Sequence, residues 1–223
     1  MSAGARLGLC LGLARPEIAV ASSALWRRPV TAGRYVRYLS AMHGVVRASV
    51  PLMQRAADQC PPGRLRAYLL AHIGEEAGHD AWLLADLAAA GADPAAIATA
   101  PVLPEVAALV GPAYYRVEHE HPVALLGYVA VLEANAPAPW LAARLASETG
   151  LPPAAFRTLA AHAELDGGHL RDLLALLDVL PLGPAQQQAA ALCALHTADA
   201  LVRLFLRLAD PDPFTEATHD ASP

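Results

Sequence analysis

One polar pattern occurs twice in an otherwise apolar chain. Residues 72–79 read HIGEEAGH and residues 162–169 read HAELDGGH: in both, a His is followed by an acid after four positions and a second His after seven. On an α-helix each residue turns by about 100°, so positions i, i+4 and i+7 share one face. His72, Glu76 and His79 are expected to form one stripe, and His162, Asp166 and His169 a second. The flanking residues are mostly Leu, Ala and Trp, so both stripes would face a core. Burying an unpaired carboxylate costs several kcal/mol, and leaving imidazoles unsatisfied adds to that. Metal coordination removes the cost, because imidazole nitrogen and carboxylate oxygen are ligands for iron, manganese or zinc. Six such ligands exceed what one catalytic ion with an open position takes, and they suit two ions.

The rest of the chain is built for helices. Hydrophobic residues make up 55% of the 223 residues, and Ala and Leu outnumber the β-branched types that favour strands. Pro and Gly punctuate the helical patterns. Residues 31–59 form one long pattern, with Tyr35, Leu39, Met42, Val45, Val46 and Val50 at helical spacing and a kink expected at Pro51. CPPG at 60–63 breaks it. Further helices are expected over 64–90, 104–117, 123–135, 140–149, 152–180 and 185–209, with 92–103 as a loop. Residues 1–30 read as a loose N-terminal arm, because Arg6, Arg15 and Glu17 interrupt their apolar run. Residues 210–223 read as a polar C-terminal tail. This makes a single all-α domain over 31–209, a bundle of six to seven helices with no strand.

Charge and cysteine content narrow the function. The formal net charge is −5 and every basic residue is Arg. That mild acidity argues against a nucleic-acid partner, which would require a basic face. Cys10, Cys60 and Cys193 are an odd number without paired spacing, so neither a disulfide framework nor a thiolate zinc site is expected, and a reducing cytoplasm is the expected location. No uninterrupted apolar run approaches the ~18 residues of a membrane span, so none is expected.

A third helix offers one more carboxylate. Glu133 ends the run LLGYVAVLE as its lone acid, without the polar neighbours a surface Glu usually has. Gly167 and Gly168 sit between Asp166 and His169, where each disfavours a helix by about 1 kcal/mol relative to Ala. They read either as weak selection or as a place of close approach or unwinding beside a site.

HIGEEAGHDAW, GYVAVLE and HAELDGGH together resemble the haem-oxygenase-like di-iron oxidases, a superfamily also met as iron-containing redox enzymes. The resemblance covers roughly residues 35–205, and HAELDGGH is its most specific part. It implies a haem-oxygenase-like helical bundle that holds two Fe(II) ions, with manganese as the alternative, in place of haem. It implies an O2-dependent enzyme acting on a fatty acid, amino acid or amine, by decarboxylation, other C–C cleavage or N-oxygenation, in secondary metabolism. By that resemblance Glu76, His79 and Glu133 bind one iron, and His162, Asp166 and His169 bind or share the other. Some members carry a Glu seven residues before the His of the first motif. Here that position is His72, so either His72 replaces it as a ligand or Glu76 serves alone. The implied partners are O2 and a small organic substrate, and a homodimer is compatible with the sequence.

Several residues have plainer readings. His72 also fits a role orienting Glu76 or Glu133. Glu75 reads as a solvated or supporting acid, and Glu164, which points away from the stripe, as a surface residue. His43, in YLSAMHGVV, is the haem alternative, since haem oxygenases place their axial His on the first helix; a core histidine is the simpler reading. His119 and His121 read as capping or surface residues. Tyr114, Tyr115 and Tyr128 fit either a pocket wall or a core. The rival functions are haem binding or degradation, a metal-binding protein without turnover, and a metal-free enzyme of the thiamine-degrading branch of the fold, which would need a Cys nucleophile.

Overall fold

The first thirty residues are not a loose arm. In the computed structural model, which describes residues 1–210 apart from the side chains of 164–167, Ala3–Leu25 form helix α1. The Ser2 hydroxyl caps it, accepting from the Ala5 N–H at 3.3 Å. Arg6, Arg15 and Glu17 interrupt the run along the sequence but not along the helix face: they are exposed, while Leu7, Ile18, Ala21 and Leu25 are buried. The Gly4 N–H donates to the Asp178 carboxylate at 2.6 Å, and a side chain at Gly4 would collide with the Leu174 carbonyl.

Thr31 caps α2 (Ala32–Gln59), accepting from the Arg34 N–H at 3.2 Å; Pro51 lies within the helix. One helix was expected over 64–90, and two are found, α3 (Arg64–Glu76) and α4 (His79–Ala89). The expected loop contains the short α5 (Pro94–Thr99), whose N-terminal N–H groups are capped by Asp93. Then come α6 (Pro104–His119), α7 (Leu125–Glu133), α8 (Leu141–Thr149), α9 (Arg157–Val179) and α10 (Pro184–Ala209). Single 3-10 turns at Pro122–Ala124 and Pro153–Phe156 lead into α7 and α9. No strand occurs among the described residues, and the all-α expectation holds. There are more helices than expected because α1 and α5 were read as irregular and 64–90 as continuous.

α10 is the axis of the bundle and packs against α1, α6 and α7; α2 packs against α3, α4 and α6. Helix α7 is buried from Leu125 to Val131. It lies directly on the α10 backbone because Gly127 has no side chain: a Cβ there would fall on the Ala190 carbonyl and within 2.8 Å of the Ala194 nitrogen. By length and hydropathy alone, α1 and α10 are each able to cross a bilayer. Both are placed as bundle helices, α10 with 50% of its most apolar window buried.

Candidate metal centre

Four helices, α3, α4, α7 and α9, bring the polar groups together. Between α3 and α4, Gly78 takes φ +93°, a left-handed conformation that glycine adopts without strain. The expected unbroken stripe is therefore interrupted. His72 and Glu76 lie in the last two turns of α3, and His79 opens α4. Helix α9 runs unbroken through Gly167 and Gly168, and a Cβ at Gly168 would meet open space. The break beside the site is thus in the first motif, not the second.

His79 Nδ1 lies 3.1 Å from Glu76 Oε2, and its ring meets that of His162 edge to face at 5.0 Å. Glu76, His79 and His162 each offer a ligand atom within 4.8 Å of the others. His72, Glu76 and Glu133 form a second such group, with His72 Nε2 3.4 Å from Glu133 Oε1. His72, Glu75 and His169 form a third, in which Glu75 Oε2 lies 3.3 Å from His72 Nδ1 and 3.8 Å from His169 Nε2. Glu76 is common to the first two groups and His72 to the last two. Among the described residues the two motifs interleave: His162 meets the end of the first motif and His169 its beginning. The side chain of Asp166 lies outside the described residues.

The chemistry of these donors fits a metal. Glu133 Oε2 and His169 Nδ1 face each other at 3.5 Å, and both are buried without a hydrogen-bond partner among the described residues. A cation would satisfy both, and His with carboxylate suits iron or manganese. Burial opposes charge on His72, but the Glu133, Glu76 and Glu75 carboxylates outweigh it and hold its pKa above the ordinary histidine value. Negative charge is therefore in excess at this spot, as a cation site requires.

His162 is oriented from behind. Its Nδ1 lies 2.9 Å from the Thr158 carbonyl oxygen, one turn earlier on α9. A carbonyl only accepts, so Nδ1 carries the proton and Nε2 keeps its lone pair for a ligand. The Thr158 N–H donates to Asp86 Oδ2 at 2.8 Å, and Asp86 is 1% exposed on α4. Sequence reasoning missed both residues. A lone acid in the apolar run WLLADLAAA was the available signal for Asp86.

A cavity of about 150 Å³ opens onto His72, Glu76, Glu133 and His162. Its apolar wall includes Leu39, Met42, Val45 and Val129, with Tyr38, Ser49 and Asn135 as polar members that the sequence did not single out. Of the tyrosines that the sequence did, Tyr128 lines it, with a buried hydroxyl lacking a partner among the described residues, while Tyr115 is exposed. No cysteine lines this cavity among the described residues. Burial raises the pKa of Cys60, and pushes that of Cys193 up to about 11. His43 is on the opposite face of α2 and lines a different cavity. His121 caps the turn before α7, accepting from the Val123 N–H at 3.1 Å.

A helical bundle with histidines and carboxylates clustered on an apolar cavity is a protein able to hold metal within its core. The family described as iron-containing redox enzymes matches residues 36–202, and the chain belongs to it. Two solved structures share the fold. One is a domain of unknown function with a haem-oxygenase-like fold from Shewanella denitrificans. It has TM-score 0.75 and 17% identity, covering 97% of this chain and 92% of that one. The other is a TenA homolog from Pseudomonas syringae pv. tomato, with TM-score 0.73 and 16% identity, covering 91% of this chain and 90% of that one. At these identities the likeness concerns the fold, which is haem-oxygenase-like. No match is found among the curated proteins.

Proposed function

We propose that the chain is an O2-dependent non-haem di-iron oxidase acting on a small organic substrate. The family supports an iron-containing redox enzyme. The observation that carries the finer reading is the position of Glu76, common to the group with His79 and His162 and to the group with His72 and Glu133. A carboxylate has two oxygens and can serve two neighbouring cations at once. Asp166 and His169 complete the proposed ligand set, with Glu75 as a supporting acid beside His72 and His169.

Iron bound there would supply the electrons that activate O2. The chain's own residues supply the rest. Thr158 fixes the tautomer of His162. Glu133 and Glu75 offset the cationic charge. The apolar wall of the cavity excludes water and packs the hydrocarbon part of a substrate, and the Tyr128 hydroxyl is placed to hydrogen-bond a polar group of it. No arginine lines this cavity among the described residues, so a carboxylate substrate would direct its head toward the metal side.

A haem on His43 would lie across α2 from these groups and leave them without a role. A thiol-dependent reaction would need a thiolate in the cavity. Anaerobic loading with Fe(II), metal analysis and O2-uptake measurements test the proposal. About two irons per chain and substrate-dependent O2 consumption, both lost in Glu76→Ala, are expected. Less than about half an iron per chain would overturn it. Full loading without O2 consumption across fatty acids, amino acids and amines would leave a metal-storing protein instead.

A further inference from the structure

Helix α2 separates two cavities. Tyr38, Met42, Val45 and Ser49 face the metal-side cavity, whereas Val36, Ser40, His43 and Arg47 face the other way. The second cavity, of about 280 Å³, is closed by the segment before α6 and by the end of α10. Its character differs from the first. Among the described residues, the metal-side cavity has carboxylates and no arginine, whereas the second is lined by Arg37, Arg47 and Arg207, with Asp210 as the only acidic residue in its wall.

Among the described residues, no carboxylate neutralises two of these arginines. Arg207 lies 3.9 Å from Glu105. Arg37 and Arg47 have no carboxylate within ion-pair distance among the described residues. Arg37 donates to the carbonyls of Leu208 and Asp210, at 3.4 and 3.0 Å, and Arg47 to that of Ala98 at 2.9 Å. A guanidinium has five N–H donors, so these bonds anchor the side chains and leave donors over. His43, one turn before Arg47 on the same face, is 4% exposed and makes no hydrogen bond among the described residues. Burial and then Arg47 lower its pKa, against the pull of Asp80, so it is a neutral imidazole at pH 7. The remaining wall is apolar, with Ile97, Val102 and Val106.

We propose that this second cavity binds a small organic anion, a carboxylate on a short hydrocarbon tail, with its head at Arg47 and His43 and its tail against Val102 and Val106. A planar guanidinium matches the two oxygens of a carboxylate. Arg37 and Arg207 add positive potential at the other end. An apolar cavity of about 150 Å³ accommodates benzene, so this one has room for roughly ten non-hydrogen atoms. Octanoate has that size.

Calorimetric titration of the full-length, metal-free protein with octanoate, octyl phosphate, octanol and octylamine tests the assignment without reference to iron or turnover. Octanoate is expected to bind about tenfold or more tightly than octanol, and any octylamine binding, drawn to the carboxylates of the metal-side cavity, to be unaffected by Arg47→Met. Arg47→Met should weaken octanoate about tenfold or more and leave octanol unchanged, whereas Met42→Phe, which narrows the metal-side cavity, should leave octanoate binding intact. Octyl phosphate binding more tightly than octanoate would replace the carboxylate with a phosphate head and overturn that part. Octanoate binding no better than octanol, or binding lost in Met42→Phe but kept in Arg47→Met, would overturn the site. Arg37→Met, at the other end of the same cavity, is a second variant that should also weaken octanoate and leave octanol unchanged, so the test stands even if Arg47→Met does not fold.

Discussion

Glu76 is the side chain on which the two principal groups of donors depend, and Glu75 beside it belongs to neither. The pair therefore separates a shared ligand from a neighbour. Glu76→Ala is expected to abolish iron binding at both positions, while Glu75→Gln, a half-exposed residue, should weaken binding severalfold at most; metal analysis of anaerobically loaded variants checks this. Asp86 permits a second prediction. Its carboxyl is held above the ordinary Asp pKa because burial outweighs the hydrogen bonds from Thr158 and the Arg157 charge. A raised folded pKa means that the folded chain holds the proton longer than the unfolded one. The stabilising effect is complete below the unfolded value and is lost as pH rises through the folded one. Asp86→Asn removes that titration while its amide oxygen still accepts from Thr158. The stability of Asp86→Asn relative to wild type should therefore rise between about pH 4 and pH 7, measured by urea unfolding at each pH. Asp86→Ala, which strands the buried Thr158 N–H, should lose about 1–3 kcal/mol at both.

Glycines decide how the elements meet, and each makes a different prediction. Gly127→Ala would drive a methyl into the Ala190 carbonyl, which cannot move without shifting α10, and should destabilise the fold by about 3 kcal/mol. Gly168→Ala meets open space in an unbroken helix and should stabilise by about 1 kcal/mol. Thermal melts of the two variants should move in opposite directions. The same residues show what the sequence made legible. Long helices bounded by Pro or Gly, such as α2 with its Thr31 cap and α10 between Gly183 and Pro211, follow from local pattern alone. The sequence singled out His72, Glu76, His79, Glu133, His162 and His169 as polar groups in apolar surroundings but divided them differently, with Glu76, His79 and Glu133 together and His162 with His169, whereas Glu76 and His79 group with His162, and Glu133 with His72 and Glu76. Gly78 was not anticipated, since a single glycine in a helical pattern is usually tolerated, and only the tertiary placement of His79 shows that the left-handed turn is used. α1 was missed for a related reason. Its charges break the apolar run in sequence but lie on the face turned away from α9 and α10. The second cavity was illegible, because Arg37 and Arg47 of α2 meet Arg207 of α10 only through tertiary packing, which no spacing in the sequence reveals.

For the molecule as a whole, the donor groups join parts of the chain that are far apart in sequence. α3, α4, α7 and α9 each contribute side chains, and without a cation the centre holds three carboxylates within reach of one histidine. Their mutual repulsion works against the packing of those helices. A metal bound only by the folded chain stabilises it by mass action, by about 2.7 kcal/mol at a hundredfold excess over Kd. For a chain of this size that corresponds to a rise in Tm of about 5–11 °C. Fe(II) under anaerobic conditions, and Mn(II) to a similar or smaller extent, should produce this rise, and a chelator should reverse it. The gain should also be local. Amide hydrogen exchange is expected to slow in α3, α4, α7 and α9 on metal addition, while α1, which packs on α9 and α10 but contributes no donor, keeps its metal-free rates. Slowing spread evenly over α1 and the donor helices would indicate a general effect of the ion on the bundle, and the proposed centre would lose its thermodynamic support.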